Sequence, residues 1–213
     1  MNATFKKSFA EFLGTAVFLT AIAGSVSSGS PLKQLSLALT LGLMILLLGG
    51  VSGAHFNPVV SLYFYSRKEI SLRELLSYIG SQLLGALAGA ALGLALWGNT
   101  ITAISNTNVA SAPLVIGEVV ATAGLVLLIG HLASNKQAHL IWVAVAAWVF
   151  AAGTFTGTGA QANPAVSFGL LFTGAGIGTI STFVLAQVVG LALAIGLQMV
   201  LGAKVKKAAK AKK

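Results

Sequence analysis

Three motifs recur along the chain at nearly one spacing, and this repeat limits the possible folds more than any other feature. Ala10-Glu11-Phe12-Leu13-Gly14-Thr15-Ala16 opens the first half, and Gly117-Glu118-Val119-Val120-Ala121-Thr122-Ala123 opens the second. Asn57-Pro58-Val59 is matched by Asn163-Pro164-Ala165, and Ser81-Gln82-Leu83-Leu84-Gly85 by Ala186-Gln187-Val188-Val189-Gly190. The offsets are 107, 106 and 105 residues. Six apolar stretches lie among these landmarks, near residues 9–27, 35–51, 72–97, 113–133, 138–155 and 179–203. Each approaches the roughly 20 residues that cross a hydrocarbon core. Each half therefore carries three spans, an odd number, so the halves enter the membrane in opposite senses. That predicts an inverted repeat about a pseudo-two-fold axis in the membrane plane, with the functional site near the midplane between the halves. The predicted organisation is a first repeat over 1–107, a second over 108–203 and a lysine-rich tail over 204–213.

Composition agrees with a membrane protein. Apolar residues make up 56 % of the 213-residue chain and charged residues 8 %, against about 25 % charged in soluble domains. Such a chain cannot build a water-facing surface, and it is far too apolar for disorder. The absence of cysteine excludes a disulfide scaffold, thiolate metal sites and a cysteine nucleophile. The net charge of +9 would suit a nucleic-acid binder, but six of the thirteen basic residues lie in the last ten positions. That tail suits anionic lipid, and no nucleic-acid partner is expected. Six spans put both termini on one side. With them lie Lys6, Lys7, Arg67, Lys68, Arg73, Lys136 and the six tail lysines, against Lys33 alone on the other side. Twelve against one predicts cytoplasmic termini in a multi-pass protein of the cell membrane. Lys6, Lys7 and Ala23-Gly24-Ser25 resemble a cleavable signal peptide, but the apolar run is too long and contains Glu11.

The Asn-Pro motifs each follow a glycine-bearing turn, Ser52-Gly53-Ala54-His55 or Thr158-Gly159-Ala160-Gln161. Each precedes an apolar run, 59–65 or 165–172, too short to span. Asn is a strong N-cap and Pro favours the first helical position. The motifs predict two re-entrant half-helices whose N-termini meet at the midplane, flanked there by Pro58, Val59, Pro164 and Ala165. A helix N-terminus carries about half a positive charge, so the pair opposes cations and protons. Asn57 and Asn163 are expected to donate to a passing solute while their oxygens cap the helices. The turns, with Gly53, Ala54, His55, Gly159 and Gln161 lining the path, offer carbonyl acceptors. The predicted class is an all-α membrane protein of six transmembrane helices plus two half-helices.

These motifs resemble the aquaporin, or major intrinsic protein, family. Ser52-Gly53-Ala54-His55-Phe56-Asn57-Pro58-Val59-Val60-Ser61-Leu62 is similar to its first loop signature, and Thr158-Gly159-Ala160-Gln161-Ala162-Asn163-Pro164-Ala165-Val166-Ser167-Phe168-Gly169 to its second. The resemblance covers nearly the whole chain except the tail. It implies a passive pore in each subunit of a homotetramer. It also implies a four-position outer filter, which spacing from the two asparagines places at Leu37, Ala151, Ala160 and Val166. Family members usually carry arginine at the Val166 position, and water-specific members an aromatic and a histidine at the span positions; this chain has none of these. Four apolar side chains predict a wide, uncharged constriction that sorts solutes by size and tolerates apolar groups.

Glu11 and Glu118 are ionisable groups within spans, which are costly and normally face the bundle interior. Their recurrence at the same place in each half favours bracing of the adjacent loop over a proton relay. With three His and four acidic residues in the chain, no metal site and no cofactor are expected. Gly85, Gly89, Gly190 and Gly196 are expected at helix crossings. The function predicted is a passive channel for small uncharged solutes: water and larger species such as glycerol, urea or metalloid hydroxides, including arsenite and methylated arsenicals. A water-selective aquaporin is the alternative. A secondary transporter would also use inverted repeats, but it needs a midplane ion site. An enzyme would need a nucleophile–base constellation, and none is present.

Overall fold

The computed structural model describes residues 3–102 and 108–201. The predicted lysine tail and the predicted boundary at 107 lie outside these residues. The chain is all helical: α1 (Ala3–Ser28), α2 (Lys33–Ser52), α3 (Pro58–Ser66), α4 (Leu72–Ala95), α5 (Ala112–Ser134), α6 (Ile141–Phe155), α7 (Pro164–Leu170) and α8 (Ile177–Val200). Single 3₁₀ turns, Ala138–Leu140 and Leu171–Thr173, precede α6 and follow α7. With the turn before α6 included, six helices among the described residues are long and apolar enough to cross a membrane. α1 starts six residues before the apolar stretch that marks it, since a helix continues into the interface beyond its hydrophobic run.

The two halves pack alike. The α1–α4 and α5–α8 seams are the most extensive, and α3 and α7 each sit against both α4 and α8. The α1–α4 seam is built by Gly85, Gly89 and Gly93, one per turn. A β-carbon on Gly93 would lie 2.6 Å from the Thr20 carbonyl oxygen, and one on Gly85 or Gly89 would collide with Phe12 or Ala16 backbone. Without a hydrophobic force between helices in lipid, such close backbone approach is what holds them together. Gly190 plays this part against the Val119 carbonyl, 2.7 Å from a notional β-carbon. Gly196, expected at a crossing, faces open space with nothing within 4 Å. It lies six residues beyond Gly190, off the one-turn repeat that makes the seam. Trp148 of α6 fills the place where Gly124 of α5 lacks a side chain, and its Nε1 donates to Ala121 O at 2.9 Å.

Both half-helices start as their caps dictate. Asn57 and Asn163 are extended (φ −155° and −158°), with Pro at the first helical position. α4 starts with a reciprocal Ser71–Glu74 capping box, and Lys7 Nζ reaches Glu74 Oε1 at 2.7 Å, tying α1 to α4 on the side of the termini.

Candidate pore

The two half-helices are joined through their caps. Asn57 Oδ1 accepts from Val59 N at 2.9 Å, and Asn163 Oδ1 from Ala165 N at 2.9 Å and Val166 N at 3.4 Å. Each amide nitrogen then crosses to the other loop. Asn57 Nδ2 donates to Ala162 O and Asn163 Nδ2 to Phe56 O, both at 2.8 Å. One amide hydrogen of each side chain is thereby used in the clamp. The second remains for a solute.

The loops that enter the membrane hold strained backbone. Ala54 (φ 51°), Phe56 (φ 48°), Ala160 (φ 55°) and Ala162 (φ 47°) are left-handed, at equivalent places in the two halves. Such residues cost of order 1–3 kcal/mol each and persist only where their surroundings over-determine them. Two buried carboxylates do so. Glu11 accepts from Ser52 Oγ (2.6 Å), His55 N (3.0 Å), Phe56 N (2.7 Å) and Gln82 Nε2 (2.8 Å). Glu118 accepts from Gln161 N (3.0 Å), Ala162 N (2.8 Å) and Gln187 Nε2 (2.7 Å). Gln82 and Gln187 also reach Ser61 and Ser167 of the half-helices, each at 3.0 Å. Each loop is thus strapped to the first and third spans of its own half. Among the described residues, no hydrogen bond uses the carbonyls of 53–55 or 159–161, which leaves these as acceptors.

Four cavities follow one another through the bundle and share walls. At the side of the termini, a mouth is lined by Gly49, Gly50, Glu69, His139 and Trp142, among others. It shares Gly53, His55 and Phe64 with an inner chamber that also holds Ala54, Leu125, Ile129, Asn57 and Asn163. The inner chamber shares both asparagines with a central one walled by Phe18, Trp148 and Val149. The central chamber shares Phe18, Val149, Ala160 and Gln161 with an outer one that adds Lys33, Gln34, Leu37, Gly159 and Val166. His55 is held in the wall of the inner chamber, stacked on Phe64 at 4.7 Å, edge-on to Tyr78, and bonded through Nδ1 to Ser61 Oγ at 3.1 Å.

Of the four spacing-derived filter positions, Leu37, Ala160 and Val166 meet in the outer chamber. Ala151 does not: it is exposed on the outer surface of α6 and lines none of the four cavities. Val149 takes that wall. Two residues along a helix is about 200° of rotation, so a two-residue error in counting back through the loop reverses the face. Pro58, Val59, Pro164 and Ala165 also line none of these cavities. Val59 is fully buried against Tyr63, Val126 and Leu191, so it packs the bundle, whereas Val60, Phe64 and Val166 of the same half-helices line the cavities. Sequence spacing also missed Phe18, Gln34 and Trp148, which reach the path from α1, α2 and α6 by tertiary packing. Among the described residues, no cluster of His and acidic side chains could hold a metal ion.

Two capped half-helices meeting inside a six-span bundle, on a string of cavities, define a membrane channel. The family model for the major intrinsic protein matches residues 1–200. The aquaglyceroporin AqpS of Rhizobium meliloti (strain 1021) is 30 % identical over 204 residues, covering 89 % of this chain and 87 % of that one. Aquaporin NIP3-1 of Arabidopsis thaliana is 32 % identical, covering 87 % of this chain and 64 % of its own length. An aquaglyceroporin of Toxoplasma gondii (strain ATCC 50611 / Me49) is 30 % identical over 79 % of this chain and 65 % of its own. The chain thus spans slightly less than two thirds of the length of these last two relatives. The X-ray structure of the aquaglyceroporin from Plasmodium falciparum shares the fold, with a TM-score of 0.74 over 92 % of this chain and 95 % of that one at 22 % identity. The chain belongs to the major intrinsic protein family.

Proposed function

We propose that this channel has a wide, apolar outer constriction without arginine, and that it conducts uncharged solutes larger than water as well as water. The observation that carries the reading is Val166. Its backbone N–H is held by Asn163, its side chain is 3 % exposed, and it lines the outer chamber beside Leu37 and Ala160. Arginine there would bring a fixed cation and five donors; valine brings neither. An apolar ring does not replace a solute's hydration, so it discriminates by size and accommodates methyl groups. Glycerol, urea and metalloid hydroxides, including arsenite and methylated arsenicals, are the proposed solutes. Two of the similar proteins are named aquaglyceroporins, which supports the glycerol part.

A water-selective reading draws on a different observation. Phe18 and Trp148 both line the central chamber, so aromatic rings from α1 and α6 flank the path. Coupled transport draws no such support. Glu11 and Glu118 are consumed as loop braces and line none of the four cavities. We further propose a homotetramer with cytoplasmic termini and the lysine tail on anionic lipid, from the family resemblance and the twelve-to-one distribution of basic residues.

Stopped-flow swelling of proteoliposomes with glycerol, urea, arsenite and monomethylarsenite, against water, tests the reading. Permeation of the larger solutes is expected; water flux with exclusion of all of them supports the aromatic-walled alternative.

A further inference from the structure

We propose that the first turn of α2, Lys33 and Gln34, is the polar selecting edge of the outer chamber. Lys33 repels cations there, and Gln34 donates a hydrogen bond to a hydroxyl-bearing neutral solute. The proposal deepens the reading of this chamber as the filter and rests on it.

Both residues line the chamber together with Leu37 and Val166, with Gln34 one helical turn outward from Leu37. The Gln34 side chain lies against α6, the helix packed beside α2. A β-carbon on Gly153 of α6 would be 2.5 Å from Gln34 Oε1, and one on Gly159 would be 3.1 Å from Nε2. The amide therefore occupies the space that two glycines leave open. Its Oε1 is sealed against α6, without a hydrogen-bond partner among the described residues and out of reach of a solute, whereas its Nε2 is neither sealed nor hydrogen-bonded among them. Nε2 donates to the oxygen of a solute hydroxyl in the chamber, which an apolar wall cannot do.

Lys33 is placed to set the sign of the chamber. The four carboxylates of the chain are Glu11, Glu69, Glu74 and Glu118. Glu69 and Glu74 lie on the opposite side of the bundle, with Arg67 and Lys7 as their partners. Glu11 and Glu118 are bound into the loops. No carboxylate on its own side neutralises Lys33. With valine at 166, the one full charge of this chamber comes from the start of the second span instead of the second half-helix. Surface fields fade over about 8 Å at physiological ionic strength, so the barrier acts only on ions at the chamber mouth and weakens with salt.

The experiment uses full-length protein in liposomes. It compares wild type with Lys33→Gln, Lys33→Glu, the near-isosteric Gln34→Met, and Gly153→Ala, which leaves Gln34 in the chain but pushes it off its seat. Sodium leak is read by a dye at low and high salt, and glycerol and water permeation by swelling. Lys33→Glu is expected to raise sodium leak about tenfold at low salt and much less at high salt, with water flux within about twofold of wild type and Lys33→Gln in between. Gln34→Met is expected to lower the glycerol-to-water ratio about fivefold, and Gly153→Ala to lower it as well. Wild-type leak in Lys33→Glu at low salt overturns the charge role. An unchanged ratio in Gln34→Met overturns the hydrogen-bonding role, and if that variant does not fold, an unchanged ratio in Gly153→Ala does so. Failure of the wide-filter reading shows separately, as glycerol exclusion by wild type. It removes the Gln34 role and leaves the sodium-leak test of Lys33 intact.

Discussion

Asn57 and Asn163 clamp each other's loops: each side-chain nitrogen donates across the repeat axis at 2.8 Å, to Ala162 O and Phe56 O respectively. The residue that caps one half-helix thereby fixes the loop that leads into the other. The two N-termini are held end to end by four polar atoms, all buried.

Replacing either asparagine by aspartate removes a donor and sets a carboxylate against the carbonyl it used to serve. Leaving buried groups unpaired costs about 1–3 kcal/mol each, and a negative charge would oppose the half-helix field that excludes cations. Asn57→Asp and Asn163→Asp should each lower water permeation at least about tenfold or raise cation leak, and lower the melting temperature in detergent. Folded variants with wild-type rates and selectivity would remove the central role from the pair.

The braces behind the loops should act on stability and conduction together. Glu11→Ala leaves three donors without an acceptor, Ser52 Oγ and the amides of His55 and Phe56, and leaves Gln82 Nε2 with Ser61 alone. A loss of at least about 3 kcal/mol is expected, since several buried donors are orphaned at once, with collapse of permeation in whatever protein survives. Glu118→Ala should behave alike through Gln161 and Ala162. Solute uptake driven uphill by a proton gradient, and lost only in these variants, would point instead to a relay.

The glycine seam separates two residues of the same type. Gly89→Val drives side-chain atoms into the Ala16 backbone, where even a β-carbon does not fit. Overpacking of this kind costs about 1–3 kcal/mol or more, and expression yield should fall sharply. Gly196→Val meets open space and should leave yield and melting temperature unchanged. Equal effects at both sites would mean that the α1–α4 seam is not set by backbone approach.

Because the chain has no cysteine, wild type should be insensitive to a thiol-specific mercurial. That makes it a clean background for single cysteines. Val149→Cys and Val166→Cys, both in the outer-chamber wall, should become blocked, whereas Ala151→Cys on the exposed face of α6 should not. Block at 151 but not at 149 would reverse the assignment of the fifth-span wall.

The fold was legible because its strongest signals are covalent and local. Apolar length marks the spans, the Asn-Pro dipeptides mark the half-helix starts, and an odd number of spans per repeat gives opposite orientations. Contacts that cross the repeat axis were not legible. Nothing around Asn57 says that its amide nitrogen meets Ala162, 105 residues away. Counting back from Asn163 selected Ala151, because the loop of 156–163 does not preserve helical phase and a two-residue slip turns α6 to its other face. Phe18 and Gln34 reach the path only through the packing of α1 and α2 against the second half.

The most direct test of the account is solute selectivity in wild type against Val166→Arg, measured by proteoliposome swelling. Arginine at this position would bring a cation and a fork of donors to the apolar lining of Leu37, Ala160 and Val166. The account predicts that wild type passes glycerol and urea as well as water, and that the variant loses the larger solutes at least about tenfold while retaining some water flux. Wild-type liposomes that swell with water and exclude every larger neutral solute would contradict it.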